Sequence, residues 1–467
     1  MTFVARDTNN ILKNAGQTSS SKMDMNWLIP VIVALMVYAC IYYYLKSRKV
    51  LPHVIDFMGP CIMIKTEKVG FFDKLARPKK LLYAYASAGV LLTIICGVAV
   101  TLLFVISGLL SLTVPTEPIP PQDLLLIPGL NSYVPSTFAV WFALVFAMVI
   151  HEAGHGIISR VENMRVKSTG LLTLIIPIGA FVESYGEYVE KARLGSKLRM
   201  FAAGITNNIV IGIICLLLLT VLLGMAVPGD HPYVYGVYSG YPAEEAGVLP
   251  GLIVTDIDGM AVYSLEDITA IMSNTKPGQV VTLSGEYKGE AQSYDITLAA
   301  VPDDLQSTIT RADSEAGYLG ISFMEPETLT SAVDVLTHPK SLSEAAGSFM
   351  AFLILPFSSM MGPDVLSFVA ADTPDPAILA APFFGYWSIV HLLFWCAWLN
   401  LLLGIFNALP LGGLDGGQML RESLRHLCRR VGWDERHALR ICGMVTYVLI
   451  LDCYYADYHA VYVVNQI

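Results

Sequence analysis

The sequence predicts a polytopic α-helical membrane protein of about six spans with one inserted α+β domain. The 467-residue chain is 54% hydrophobic and 15% charged, with a mean hydropathy of +0.57, which is too apolar for a soluble protein of this size. The net charge of −10 is unevenly spread: positions 228–340 hold 17 acidic and 4 basic residues, and the rest of the chain is about +3. This acidic stretch predicts a soluble insertion, and it argues against nucleic acid as a partner of that domain because phosphates would be repelled.

Six long apolar runs predict the spans. They cover 27–45, 81–110, 137–159, 198–227, 383–409 and 438–454. Positions 1–25 are polar and predict a disordered tail. Positions 347–361 are apolar but short and contain Pro356. This segment could be a span, or it could be interfacial or re-entrant. If the acidic domain is external, the segment has to return the chain to that same side, which favours the non-spanning alternative.

Clusters of basic residues predict the orientation of these spans. They are Lys46, Arg48 and Lys49; Lys74, Arg77, Lys79 and Lys80; Arg160, Arg165 and Lys167; and Arg421, Arg425, Arg429 and Arg430. Basic residues accumulate on the cytosolic side, so we expect a multi-pass protein of the cell membrane whose acidic domain is extracytoplasmic. The chain then divides into the tail, a membrane region over 26–227, the domain with its linker over 228–340, and a second membrane region over 341–467.

The third apolar run contains the most informative motif, His151-Glu152-Ala153-Gly154-His155. Two histidines four residues apart share one helix face and can bind zinc, and the glutamate between them can act as a general base. The 14 residues from Thr137 to Ile150 carry no charge. A glutamate in such a segment is costly and therefore indicates a functional site. A hydrolase built this way needs a substrate that is also in the membrane.

A catalytic zinc site needs a third protein ligand. The extended H-E-x-x-H-x-x-G-x-x-H pattern is absent from the sequence. Glu183, 28 residues after His155, is one candidate, and Asp415 is another. Asp415 is also a plausible turn residue, because it stands in a glycine-rich run. It lies at the inward end of its apolar run, as the histidine pair does, and this shared depth favours Asp415.

These motifs together resemble the site-2 protease family of intramembrane zinc metalloproteases. The resemblance rests on HExxH within a span and on a later N-x-x-P…L-D-G element, here Asn407–Gly416. Gly204–Asn208 resembles the family's G-x-x-x-N element, and Pro177–Glu183 resembles the P-x-G-A-F-V-E stretch of archaeal members. In the family that stretch forms a membrane-embedded β element beside the active site.

The resemblance implies the roles of the metal-site residues. His151, His155 and Asp415 would bind one Zn2+ per chain, and Glu152 would be the general base. The expected reaction is the hydrolysis of a peptide bond in a transmembrane protein near the cytosolic face. A membrane metal or ion transporter and an inactive protease-like scaffold are the alternatives. A transporter would be expected to show an internal repeat, which the sequence lacks, and the intact motif residues argue against the scaffold.

Three asparagines are candidates for contact with substrate. Asn208 is the main candidate to orient the substrate or to stabilise an oxyanion, and an interhelical hydrogen bond is nearly as plausible a role for it. Asn207 is the adjacent alternative. Asn407 is expected mainly to fix the turn that presents Asp415.

The acidic insertion resembles a bacterial-type PDZ domain. The resemblance lies in a turn at Gly240–Gly251, a hairpin signal at Asp258-Gly259, a short amphipathic helix at Leu265–Met272 and a K-P-G turn. Such a domain binds extended peptides or chain ends by strand addition. It can also act as a size filter that limits which substrates reach the site.

Overall fold

The computed structural model describes residues 28–111, 123, 127–302, 316–357, 367–370 and 373–449. Its helices are α1 (Leu28–Arg48), α2 (Gly70–Leu75), α3 (Lys79–Ser111), α4 (Phe138–Val161), α5 (Gly186–Lys191), α6 (Leu194–Leu223), α7 (Pro242–Glu245), α8 (Leu265–Met272), α9 (Pro326–Thr337), α10 (Leu342–Ile354), α11 (Ser367–Ala370), α12 (Tyr386–Asn407) and α13 (Asp415–Val431). A further helix covers 436–449.

The strands form four separate sheets in the described residues. They are β1 (Ile55–Met58), β2 (Cys61–Thr66), β3 (Val166–Leu174), β4 (Ile176–Ser184), β5 (Val227–Pro228), β6 (Tyr233–Val237), β7 (Ile253–Ile257), β8 (Met260–Ala261), β9 (Val280–Tyr287), β10 (Glu290–Thr297), β11 (Ala299–Ala300), β12 (Gly317–Tyr318), β13 (Ile321–Met324) and β14 (Leu379–Ala380).

Four of the described helices, α3, α4, α6 and α12, are long and apolar enough to cross a membrane. The chain is therefore a membrane protein with helical spans, as the composition predicts. The first predicted span coincides with α1, a helix of 21 residues. The last coincides in part with the helix over 436–449, and its remainder lies outside the described residues, as does the predicted tail at 1–25.

Helices α4, α6 and α12 form the centre of the membrane region, and small residues let them approach closely. A Cβ atom on Gly154 of α4 would lie 2.5 Å from the carbonyl oxygen of Ala203 on α6. A Cβ atom on Gly404 of α12 would lie 2.9 Å from the side chain of Ile209 on α6. Such contacts are how spans associate where lipid removes the hydrophobic driving force. The three helices are thereby held close enough for one site to form between them.

A four-stranded antiparallel sheet lies beside this bundle, in the order β1-β2-β3-β4. The stretch over Pro177–Glu183 falls within β4, where a β element was expected. The hairpin of β1 and β2 was not predicted, because the basic connection between the first two apolar runs was interpreted only as a cytosolic loop. Helix α1 contacts the turn between β1 and β2. The hydroxyls of Tyr38 and Tyr42 donate to the carbonyls of Pro60 and Gly59, each at 2.7 Å.

The acidic insertion is an α+β domain built on an antiparallel sheet in the order β10-β9-β7-β6-β13, with β8 on β7. Asp258 and Gly259 both have positive φ, 52° and 74°, as a tight hairpin turn requires. Helix α8 begins with a capping box between Ser264 and Asp267. Strand β13, which follows a Tyr-Leu-Gly turn, pairs with β6 and ends the sheet. This architecture fits the predicted PDZ-like domain.

In the described residues up to 357, the apolar segment near Pro356 forms a short helix. Its helix α10 has 13 residues, too few to cross a bilayer. Side chains of α12 contact its backbone and that of α11. The indole of Trp398 donates to Leu353 O of α10 at 2.9 Å, and the indole of Trp395 donates to Ala370 O of α11 at 2.8 Å. The Nε2 atom of His391 lies 3.0 Å from the carbonyl oxygen of Phe368, also on α11. Carbonyls in apolar surroundings need such donors, which supports the non-spanning alternative.

Candidate active site

The HExxH motif lies within the last three turns of α4, and its two imidazoles meet. The Nε2 atoms of His151 and His155 are 3.2 Å apart. The Nδ1 atom of His155 lies 2.8 Å from the carbonyl oxygen of Met200 on α6, so Nδ1–H donates there and the Nε2 lone pair faces the site. The neighbouring helix therefore sets the tautomer that a metal ligand needs.

The side chain of Asp415 reaches the same point from another helix. Its Oδ2 atom is 3.0 Å from Nε2 of His151 and 3.2 Å from Nε2 of His155. Asp415 is the first residue of α13. Cβ atoms on Gly416 and Gly417 would collide with the carbonyl oxygens of Ala408 and Leu411. The two glycines therefore permit the tight turn that brings Asp415 from the end of α12 into the site.

The three side chains fit a zinc ion. Their ligand atoms all lie within 4.8 Å of one another, and the site is mostly buried. Two nitrogens and one oxygen are common zinc ligands, and ligands on a tetrahedral zinc stand about 3.4 Å apart, close to the spacing seen here. The lone pairs of three electron-rich atoms converge on one point, an arrangement that a cation stabilises. Three protein ligands also leave a fourth position for water.

The backbone of α6 closes one side of this cluster at Gly204. A Cβ atom there would lie 2.6 Å from Nε2 of His155 and 2.8 Å from Nε2 of His151. The sequence motif identified Gly204 but not its role, which is to leave room for the two imidazoles. The signal was its position four residues before Asn208, on the same face of α6.

Glu152 lies between the histidine pair and the sheet. Its side chain is half-buried, and its carboxylate lies near the backbone N–H of Val182 in β4. In the described sheet β4 is a terminal strand. A carboxylate, a cluster that can hold a metal and a strand edge therefore meet at one place.

Glu183 does not reach the cluster. It accepts hydrogen bonds from Lys167 at 2.7 Å and from Ser168 at 2.8 Å. The Lys167 ammonium holds the pKa of the Glu183 carboxyl below its usual range. Glu183 is therefore an ion-pair partner on the sheet, and of the two candidate third ligands only Asp415 contacts the histidines.

The three candidate asparagines have different surroundings. Asn208 is fully buried on α6, and neither its Nδ2 nor its Oδ1 has a hydrogen-bonding partner among the described residues. Asn207 accepts from the hydroxyl of Tyr85 at 2.8 Å and donates to Ile150 O at 3.2 Å, so it joins three helices. Asn407 donates to Leu403 O within its own helix at 2.8 Å. Only Asn208 has both amide atoms available.

Histidines and an aspartate around one point, with a glutamate beside them on a membrane-length helix, define a metallopeptidase type of site. The description "Peptidase family M50" matches residues 139–451, which include every residue of this cluster. The chain belongs to that family, the site-2 proteases. The family resemblance seen in the motifs is thereby confirmed.

Curated relatives carry the same kind of name. "Zinc metalloprotease RasP" of Shouchella clausii is 26% identical over 254 residues, covering 53% of this chain and 56% of that protein. "Regulator of sigma-W protease RasP" of Bacillus subtilis is 25% identical over 229 residues, covering 48% and 49%. The chain thus spans about half the length of these relatives. The solved PDZ domain of an SdrC-like protein from Listeria monocytogenes is 23% identical and covers 22% of this chain and 96% of that domain, with a TM-score of 0.18.

Proposed function

We propose that this chain is an intramembrane zinc endopeptidase. His151, His155 and Asp415 hold one Zn2+, and Glu152 is the general base. The observation that carries the proposal is the contact of Asp415 with both imidazoles, beside Glu152, at the end of a membrane-length helix. A bound zinc polarises the scissile carbonyl and lowers the pKa of its water. Membership of a peptidase family argues against the transporter alternative.

The protein's own groups supply the proton transfers and the geometry. Glu152 takes a proton from the attacking water and returns it to the leaving amine. The Val182 N–H lies near the Glu152 carboxylate and is placed to orient it. Asn208 offers an unpaired amide donor in a buried place one helical turn from Gly204. A preorganised donor of this kind stabilises the oxyanion that forms during peptide hydrolysis.

The substrate in this proposal is a transmembrane protein whose chain is locally extended at the site. A peptide bond inside a helix is shielded by neighbouring side chains, so the substrate has to unwind before it is cut. The outer edge of β4 runs past Glu152 and can pair with an extended segment by strand addition. This pairing would satisfy the substrate's backbone groups, which lipid cannot do.

The membrane arrangement in this proposal follows the basic clusters. Six spans cross the cell membrane, the metal site lies near the cytosolic face, and the PDZ-like domain is extracytoplasmic. That domain receives a peptide or chain end, or limits substrates by size. Lipid contacts the outer faces of the four apolar helices, above all α3, whose large apolar side chains are the most exposed of the four.

Cleavage by purified protein, reconstituted with a transmembrane substrate, tests the function. Glu152→Gln is expected to keep its zinc and to lose cleavage, because the metal ligands are intact and the base is gone. Asp415→Ala is expected to lose zinc, whereas the matched Glu183→Gln keeps it. Cleavage by Glu152→Gln at the parent rate would refute the mechanism, and full zinc in Asp415→Ala would refute the ligand set.

A further inference from the structure

The two helices that meet at the metal site are joined by a second contact farther along. The Nζ atom of Lys197 on α6 lies 2.9 Å from Oε2 of Glu422 on α13. Only 14% and 11% of these side chains are exposed, so the pair is largely shielded from water. Most other ion pairs in the described residues have at least one partner far more exposed. A shielded pair between two helices fixes their relative position more firmly than a surface pair does.

The spacing of this pair matches the spacing of the site. Lys197 stands seven residues before Gly204 on α6, and Glu422 stands seven residues after Asp415 on α13. Seven residues make about two helical turns, or about 10 Å along the axis, and return to nearly the same face. The helices are therefore antiparallel, with the metal site at one level and the ion pair two turns away. Both contacts lie on the same facing surfaces.

The chain before Asp415 is a turn closed by short-range hydrogen bonds, such as Leu414 N to Leu411 O at 2.9 Å. Gly412 and Gly413 in this turn are exposed and carry no side chain that could anchor Asp415 to α6. A rigid helix follows it, so the orientation of α13 decides where the carboxylate points. A shift of α13 by one residue would rotate its face by about 100° and remove Asp415 from the histidines.

We propose that Lys197 and Glu422 are a positioning pair that sets the register of α13 on α6 and thereby holds Asp415 in the metal site. The proposal rests on the zinc function proposed above. Burial alone would raise the pKa of Glu422, but Lys197 and Arg425 hold that pKa below its usual value. The carboxylate is therefore charged at neutral pH.

The neighbours of Glu422 suggest how to test the contact between helices alone. Arg425, on the same helix, also lies 3.0 Å from Glu422, and Arg421 lies 4.0 Å away. Replacing Lys197 by methionine therefore leaves Glu422 with partners on its own helix and removes only the connection to α6. Lys197→Arg keeps the charge and the donors. Arg429→Met is the matched control, since it removes another charge from α13 and breaks the exposed 2.6 Å pair with Glu435, which lies beyond the end of that helix.

The measurement is the rate at which zinc leaves the detergent-purified protein in the presence of a chelator. Groups that orient metal ligands typically change metal affinity by 10- to 100-fold, so we expect Lys197→Met to lose zinc at least about tenfold faster than the parent. Lys197→Arg and Arg429→Met should behave like the parent. The double variant Lys197→Met/Glu422→Gln removes both charges, which avoids an unpaired buried charge and favours folding. It should lose zinc as fast as the single variant, because both break one contact.

A folded double variant that retains zinc like the parent would overturn the proposal. Asp415→Ala, assayed in parallel, separates this failure from that of the proposed function. If Asp415→Ala also retains zinc, the ligand set is wrong; if only the ion-pair variants retain it, the ligand set stands and the positioning pair does not. Unfolding of the metal-free proteins on heating identifies any variant that has lost its fold.

Discussion

Gly204 faces His155 so closely that a methyl group in its place would lie 2.6 Å from the Nε2 atom of the imidazole. The backbone of α6 thus forms a wall of the metal site, and the absence of a side chain is what makes room for the ligands. The G-x-x-x-N motif combines this open space with Asn208 one turn away.

Gly204→Ala is expected to weaken zinc binding strongly while leaving the helix intact, since alanine favours helix more than glycine does. The added Cβ displaces the imidazoles by several tenths of an ångström from the position in which they meet Asp415. Gly195→Ala on the same helix is the control, because its Cβ would lie 3.4 Å from the nearest atom, in Arg199. Equal zinc content in both variants would show that the close approach of Gly204 is unimportant.

Asn208→Ala and Asn207→Ala are expected to fail in different ways. Loss of an oxyanion donor lowers kcat by about 10²–10³-fold, so Asn208→Ala should cleave slowly with normal zinc content. Asn207→Ala leaves the Tyr85 hydroxyl and the Ile150 carbonyl without their partner, at a cost of about 1–3 kcal/mol in unfolding free energy. Single-turnover cleavage and thermal unfolding in detergent distinguish them; parent-like kcat in Asn208→Ala would remove its catalytic role.

Trp395→Phe is expected to loosen the segment around α10 and α11. A smaller aromatic ring takes the place of the indole, and Ala370 O loses the N–H donor that lies 2.8 Å away in the parent. An unpaired carbonyl in apolar surroundings costs about 1–3 kcal/mol. Trp387→Phe is the control, because the described contacts of that indole are aromatic, with Phe368 and Tyr386. Faster protease cleavage of this segment should appear only in Trp395→Phe; identical digestion patterns would contradict the prediction.

Removal of zinc is expected to lower the unfolding temperature of the parent protein. A ligand that binds only the folded state stabilises it in proportion to the logarithm of its free concentration. Adding zinc back should raise the unfolding temperature again in the parent and in Glu152→Gln. It should have no such effect in Asp415→Ala, and a full response there would place the metal elsewhere.

The membrane helices and the metal cluster could be predicted because their signals are local or topological. Apolar runs identify spans by length alone, and HExxH fixes two side chains on one helix face. Asp415 could be inferred because both ligand motifs end their spans at the same depth. The resemblance of Pro177–Glu183 to a known β element likewise located β4.

The rest depends on contacts between distant elements, which local patterns do not encode. The β1–β2 hairpin is held by hydrogen bonds from Tyr38 and Tyr42 to backbone carbonyls. Every residue has a backbone carbonyl, so the identity of the accepting residues does not indicate these bonds. The pairing of Lys197 with Glu422 spans 225 positions, and the sequence presents both as ordinary charged residues near a membrane surface. Helix register is set by such pairs and becomes visible only once the helices are packed.

The short pairing of β5 with β14 connects the base of the inserted domain to the membrane helices. Strand β5 leaves α6 and β14 leads into α12, and Gly229 N donates to Ile378 O at 3.0 Å beside them. The domain is therefore not suspended from a free linker at its first connection. The strand pair connects the chain that follows α6 to the chain that precedes α12. These are the two helices that carry Gly204 and lead to Asp415, so the inserted domain is joined by backbone pairing to both helices that frame the metal site.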